Sequence, residues 1–134
     1  MTVAILLISH NQVASELINT ARQMLASYSL TTTVLSISID DNPDDIRLKL
    51  MQILHEIDSG DGTLILTDMY GSTPSNIACD TSERHDIRIV SGLNLPMLIR
   101  VLNYPHLSLN ELEQKAITGG QDGVVSCHHT GCRT

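Results

Sequence analysis

Short apolar runs alternate with segments of helical period along this chain of 134 residues. The runs predict four strands, over residues 3–8, 33–39, 63–67 and 86–90. The first run is apolar on both faces, as in a central strand between helix layers, whereas the second alternates between apolar and polar side chains. Strands that alternate with helices form a parallel sheet. We therefore predict a single-domain, doubly wound α/β fold with strand order 2-1-3-4 and helices on both faces.

The predicted helices begin at local capping patterns. Asn11 is the predicted N-cap of the first helix, and Asn42-Pro43 combines a capping side chain with proline at the first helical position. Thr73-Pro74 repeats that cap-then-proline pattern, and Ser108 to Glu111 is a capping box. The last helix is expected to end at Gly119-Gly120, because adjacent glycines usually stop a helix.

The composition argues against several classes of function. Eight Lys plus Arg against fifteen Asp plus Glu give a net charge of −7, and the only aromatic residues are three tyrosines. Nucleic-acid binding is therefore not expected, since it needs clustered cations and stacking aromatics. The longest apolar run, Val3 to Ile8, is too short to span a membrane. With no signal or anchor pattern and an odd number of cysteines, we expect a cytoplasmic protein with reduced thiols.

Two residues with reactive side chains end neighbouring strands of the predicted sheet. His10 ends the first strand and Asp68 the third. The predicted strand order places a crevice between the carboxyl ends of these strands, so we expect the two side chains within hydrogen-bonding reach. A carboxylate on Nδ1 would fix the histidine tautomer and leave the Nε2 lone pair free to act as nucleophile or base.

The residues after Asp68 are suited to an anion. The hydroxyls of Ser72 and Thr73, together with the backbone N–H groups of a helix from Pro74 that includes Ser75, predict a phosphate-binding site. Residue type and position also allow a purely structural interpretation. His10 would then be a packed loop histidine, and Asp68 and the hydroxyls would be turn and helix caps.

Three segments resemble the IIA component of the mannose family of the bacterial phosphoenolpyruvate-dependent sugar phosphotransferase system. They are Met1 to His10, Thr67 to Asn76, and Ser91 to Leu98, in the family's order and spacing. The resemblance implies that His10 accepts a phosphoryl group through Nε2 and that Asp68 orients the ring. It also implies phospho-HPr as donor, a IIB component as acceptor, and no metal or small-molecule cofactor.

The resemblance covers nearly the whole chain but has two departures. The family's loop usually has two adjacent glycines after its aromatic position, whereas Gly71 is followed here by Ser72. The family fold includes a C-terminal strand exchanged across a homodimer, which Val124 to Ser126 match in position. We therefore expect a domain over residues 1–126, a homodimer, and a tail over residues 127–134 with no counterpart in the family.

Other interpretations are open at this stage. A regulatory phospho-switch of the same fold would have the same residues, and in either role membrane contact would be indirect, through transporter subunits. A receiver-like domain phosphorylated on Asp68 is less favoured, because extra carboxylates for Mg²⁺ are missing beside the first strand. The ligand types in Cys127 to Cys132 suit zinc, but their crowded spacing favours a frayed terminus.

Overall fold

The computed structural model describes residues 2–127. Its strands and helices are β1 (Ala4–His10), α1 (Val13–Met24), β2 (Thr32–Ile37), α2 (Pro43–Ile57), β3 (Thr63–Thr67), α3 (Thr73–Cys79), β4 (Ile87–Ser91), α4 (Leu95–Leu102) and α5 (Leu109–Asp122). The strands form one parallel sheet in the order β2-β1-β3-β4. The predicted α/β fold and strand order are confirmed.

The helices cover the two faces of the sheet with separate apolar cores. One core joins the sheet to α1, α4 and α5, and the other joins it to α2 and α3. Strand β1 contributes to both, with Ile5 and Leu7 in the first core and Leu6 and Ile8 in the second. All four side chains are fully buried, which explains why this run lacks polar residues.

Strand β2 ends earlier than its alternating pattern predicts. The strand stops at Ile37, because a turn follows in which the Ser38 N–H donates to Asp41 Oδ2 at 2.8 Å and the Asp41 N–H donates to Ser38 O at 3.1 Å. Ile39 therefore lies beyond the sheet and is 98% exposed. The edge position of β2 agrees with the prediction.

The predicted N-cap of α1 is wrong. The N-cap is Gln12, and Asn11 has a left-handed backbone with φ of 47°. Instead, Ser9 Oγ accepts a hydrogen bond of 2.9 Å from the Ala14 N–H. The capping group of α1 thus comes from inside the preceding strand, where a local pattern does not reveal it.

Two further helix ends differ from the predictions. Helix α3 begins at Thr73 with Ser72 as its N-cap, one residue before the expected cap. Helix α5 continues through Gly119 and Gly120 to Asp122. A Cβ at Gly119 would lie 2.6 Å from Arg100 Cβ, so the absence of a side chain allows α5 to approach α4 closely.

The C-terminal predictions have no test in this single chain. Residues 124–127 form no strand here, and Val124 and Val125 are exposed. Exchange of this segment across a dimer stays a prediction. Most of the Cys/His segment lies outside the described residues, and within residues 2–127 no group of three potential ligands is placed to hold a metal. No helix of the same range is long and apolar enough to cross a membrane.

Candidate active site

His10 and Asp68 lie together at the carboxyl end of the sheet. His10 Nδ1 is 2.7 Å from Asp68 Oδ2, and the backbone N–H of His10 donates to the same oxygen at 2.9 Å. The histidine side chain is 43% exposed, whereas the carboxylate is only 12% exposed. One buried carboxylate oxygen therefore holds both the backbone and the ring of a histidine that is open to solvent.

The pairing of two central strands produces this contact. Strands β1 and β3 are adjacent, and Ile8 lies opposite Thr67 in their register. Asp68 follows Thr67 directly, so its side chain leaves the sheet beside the end of β1. Asp68 Oδ1 accepts a bond of 3.0 Å from the Met69 N–H, which fixes the second oxygen as well.

The environment of Asp68 favours its ionised form. Burial raises the pKa of Asp68, but the hydrogen bonds from the backbone and ring of His10 outweigh burial and hold that pKa below its ordinary value. An ionised carboxylate accepts hydrogen bonds only, so it selects the tautomer with the proton on Nδ1. Among residues 2–127, only the Nδ1 atom of the ring is hydrogen-bonded to the chain. The Nε2 lone pair is therefore available to act as a nucleophile or a base.

A crevice of about 450 Å³ lies beside His10. It is lined by the end of β2, the start of α2 and the first turns of α3, as well as by Asn11. The sequence predicts a crevice between β1 and β3, but this one extends from β1 towards β2. The difference arises because α3 packs over β1 and β3, with Ile77 buried in the core.

The predicted phosphate-binding hydroxyls are in three different environments. Thr73 lines the crevice. The hydroxyl of Ser72 donates to Met69 O, within its own loop. Ser75 is fully buried, and its Oγ lies 3.3 Å from Ser91 Oγ. The structure therefore brings Thr73 to the crevice with His10, while the hydroxyls of Ser72 and Ser75 have other partners.

A chain of hydroxyls, two of them buried and that of Ser91 half-buried, lies below this loop and is not apparent from the sequence. Thr67 Oγ1 is 2.8 Å from Ser91 Oγ, which also contacts Ser75. These contacts join the ends of β3 and β4 to the first turn of α3. The sequence does show small polar residues, Thr67 and Ser91, at the ends of two predicted strands. Only the pairing of β3 with β4 shows that their hydroxyls are in contact.

Exposed apolar side chains lie near His10. Ile39 lines the crevice, and Met69 and Tyr70 directly follow Asp68 with exposed fractions of 60% and 82%. Exposed apolar side chains that are grouped around a polar centre are typical of a surface that contacts another protein.

A family model described as the PTS system fructose IIA component matches residues 4–117. The chain belongs to this family. The match spans both central strands and the loop from Asp68 to Thr73, so the site described above lies inside the shared domain. The resemblance found in the sequence is confirmed.

Individual relatives agree with this assignment. The mannose-specific EIIAB component of Escherichia coli strain K12 is 28% identical over 127 residues, which cover 92% of this chain. This chain spans about two fifths of that relative, since the match covers 39% of its length. The mannose/sorbose-specific IIA subunit from Enterococcus faecalis has a TM-score of 0.84 at 28% identity, with 96% of each chain covered.

A regulatory protein is also among the relatives. The transcriptional regulatory protein LevR of Bacillus subtilis is 24% identical over an alignment that covers 98% of this chain but 16% of LevR. The domain therefore has counterparts in proteins with different names and different lengths.

Proposed function

We propose that this chain carries phosphoryl groups in a sugar phosphotransferase system. His10 Nε2 takes the group from the phosphohistidine of HPr and passes it to a IIB component. The observation that carries this proposal is the 2.7 Å contact between His10 Nδ1 and Asp68 on a ring whose other nitrogen makes no hydrogen bond within residues 2–127.

Phosphoryl transfer to His10 needs a lone pair on Nε2 and a proton that stays on Nδ1. The Nε2 lone pair forms the new P–N bond while the P–N bond of the donor breaks and its electron pair returns to the donor ring. The proton on Nδ1 stays in place, so the ring of His10 becomes positively charged as the bond forms. The adjacent ionised Asp68 stabilises that charge. No metal or small-molecule cofactor enters this scheme.

The transferred group needs hydrogen-bond donors for its equatorial oxygens. Thr73, which carries a hydroxyl, lines the crevice. The N–H groups of Thr73 and Ser75 belong to the first turn of α3, so neither has an acceptor within the helix. Ser72 contributes by holding the loop through its bond to Met69 O, and the buried Ser75 side chain anchors the first turn.

The surface favours a protein partner with cations. Four aspartates, at positions 40, 41, 44 and 45, follow β2 next to the crevice, and the whole chain has a charge of −7. Such a field attracts a donor that presents positive charge beside its phosphohistidine and repels polyanions. We propose HPr and a IIB component as the partners, in the cytoplasm, with the chain acting as a homodimer.

Transfer of radiolabel from phosphoenolpyruvate through enzyme I and HPr tests the proposal. The parent protein and His55→Ala, which alters an exposed histidine of α2, are expected to take up label. His10→Ala is expected to take up none, and mass spectrometry is expected to place the phosphoryl group on His10. The label should be lost in acid and retained in base, whereas an acyl phosphate on Asp68 would be lost in base. Parent-level labelling of His10→Ala would refute the proposal.

The similarity to LevR supports a second candidate, a regulatory switch whose phosphorylation changes the binding of a partner. Incubation of the labelled protein with a IIB component separates the two functions. A carrier loses its label to IIB at a rate comparable to its own labelling. A switch keeps its label in the presence of IIB and changes its affinity for a regulatory partner instead.

A further inference from the structure

Asn11, directly after the proposed phosphoryl acceptor, has an uncommon backbone conformation. Its φ is 47°, and every other residue with positive φ in the range 2–127 is a glycine. Glycine adopts this region without a steric penalty, whereas residues with a Cβ are destabilised there, asparagine less than most. Asparagine therefore occupies a position that glycine would fill more easily.

The backbone alone does not explain the asparagine. The N–H of Asn11 donates to Ile37 O at 2.9 Å, and any residue other than proline can make that bond. The side chain is exposed and lines the crevice together with His10 and Thr73. Within the described range, residues 2–127, its carboxamide makes no hydrogen bond to the rest of the chain. The side chain thus lines the crevice without a hydrogen-bond partner among these residues.

We infer that the Asn11 carboxamide binds the phosphoryl group on His10, with its N–H donating to an equatorial oxygen. This inference rests on the proposed phosphoryl transfer and adds a binding residue to it. Asn11 comes from the loop after β1, whereas Thr73 comes from α3, so donors from two separate elements meet in one crevice. A carboxamide has no proton to lose near neutral pH, so its contribution is independent of pH in that range.

Three substitutions separate the side chain from the backbone. Asn11→Gly keeps the left-handed conformation and removes the donor, so we expect the rate of phosphoryl uptake from phospho-HPr to fall about 10-fold, as for one lost hydrogen bond to a charged group. Asn11→Ala is expected to lower the rate by a similar factor. It should also lower the free energy of unfolding, because alanine is destabilised at positive φ. Asn11→Asp replaces the donor by a negative charge, and we expect a fall of about 100-fold. Asn110→Asp, an exposed position in the first turn of α5, is the matched control and should keep the parent rate.

Rapid-quench kinetics of label uptake, with unfolding curves for each variant, decide the question. A parent rate in Asn11→Gly overturns the inference, whatever the rate of Asn11→Asp, because the carboxamide would then donate nothing. Loss in Asn11→Ala without loss in Asn11→Gly also overturns it and assigns position 11 a backbone role only. Failure of the proposed function is distinct from both outcomes, since the parent protein would then take up no label on His10.

Discussion

The five helices within residues 2–127 begin in two different ways. In α2, α4 and α5, the side chain of the N-cap residue accepts a first-turn N–H, with Asn42, Asn94 and Ser108 in that role. In α1 and α3, which begin shortly after His10 and Asp68, the N-cap residues are Gln12 and Ser72, and neither makes such a bond.

The difference separates the helix starts that follow His10 and Asp68 from the other three, which include the start of α2 on the far side of the crevice. A side-chain cap occupies a first-turn N–H, so that N–H is no longer available to a ligand. Helix α1 is capped instead from within β1, by Ser9, and the first turn of α3 keeps N–H groups beside the crevice. The contrast predicts that changes at the two kinds of helix start have different consequences.

The largest expected effect is at Asp68, which connects β3 to His10, the proposed phosphoryl acceptor. Asp68→Asn removes the charge that selects the Nδ1 proton and that, in the proposed transfer, stabilises the phosphorylated ring. We expect phosphoryl uptake to fall roughly 100-fold or more, by analogy with other carboxylate–histidine pairs. Asp86→Asn, which loses a pair with Arg84 at the opposite end of the sheet, is the control and should retain the parent rate. Equal rates for Asp68→Asn and the parent would exclude the proposed role of Asp68.

The same substitution predicts a pH dependence of stability. The pKa of Asp68 is lower in the fold than its ordinary value of 3.8, so the ionised carboxylate stabilises the fold at higher pH. This stabilisation is present above pH 3.8 and is lost as the pH falls through the lower pKa of the folded state. The difference in unfolding free energy between the parent and Asp68→Asn should therefore shrink as the pH falls through that range. Urea unfolding over a pH series measures it, and a difference that grows in acid would contradict the assignment.

The sequence predicts the starts of the helices with side-chain caps better than the starts of α1 and α3. Apolar runs indicate the strands, and the starts of α2 and α5 follow from local patterns at Asn42 and Ser108, because each cap lies within three residues of its partner. The start of α1 depends on a bond between Ser9 and Ala14. The pattern at Asn11 looks like a cap, but residue type does not reveal that the backbone there is left-handed.

The contact between His10 and Asp68 could be predicted, since it follows from strand order alone. The partners of the hydroxyls could not, because Ser75 meets Ser91 only after β3, β4 and α3 have packed.

The next largest effect is expected on stability, at the contact between α4 and α5. This contact does not include His10 or Asp68. A Cβ at Gly119 would lie 2.6 Å from Arg100 Cβ, which is close to the backbone and has little freedom to move. We expect Gly119→Ala to lower the free energy of unfolding by about 1–3 kcal/mol. At Gly120, the nearest atom is the terminal Met97 Cε, at 2.9 Å, which can rotate away. Gly120→Ala should therefore be neutral or gain up to about 1 kcal/mol from helix propensity.

Thermal and urea unfolding of both glycine variants, together with label uptake, test this prediction. Both variants should be phosphorylated at the parent rate. Similar losses of stability in the two would show that the packing of α5 on α4 does not distinguish the two positions.

An effect of similar size compares the two kinds of cap directly. Ser9→Ala leaves the buried Ala14 N–H without a partner, at a cost of about 1–3 kcal/mol. It also removes the bond of 3.3 Å from Ser9 Oγ to His10 O, so phosphoryl uptake should fall as well. Ser108→Ala removes half of the capping box of α5 at a cost of about 1 kcal/mol. Because Ser108 is at the other end of the sheet, its variant should keep the parent rate, and slower uptake by Ser108→Ala would remove the contrast.

The smallest expected effect is at Ser72, where the family usually has a second glycine. The Ser72 hydroxyl donates to Met69 O, so it is not directed at the crevice, and the N-cap makes no side-chain bond to α3. Ser72→Gly should therefore lower the free energy of unfolding by only roughly 0.3 kcal/mol, the usual difference between serine and glycine at an N-cap, and should leave label uptake close to that of the parent. Thr73→Val is the matched comparison, because it removes the hydroxyl of a residue that lines the crevice and should slow uptake. If Ser72→Gly slowed uptake as much as Thr73→Val, the Ser72 hydroxyl would have to turn from Met69 to the phosphoryl group during transfer, and the N-cap of α3 would itself be part of the phosphate site.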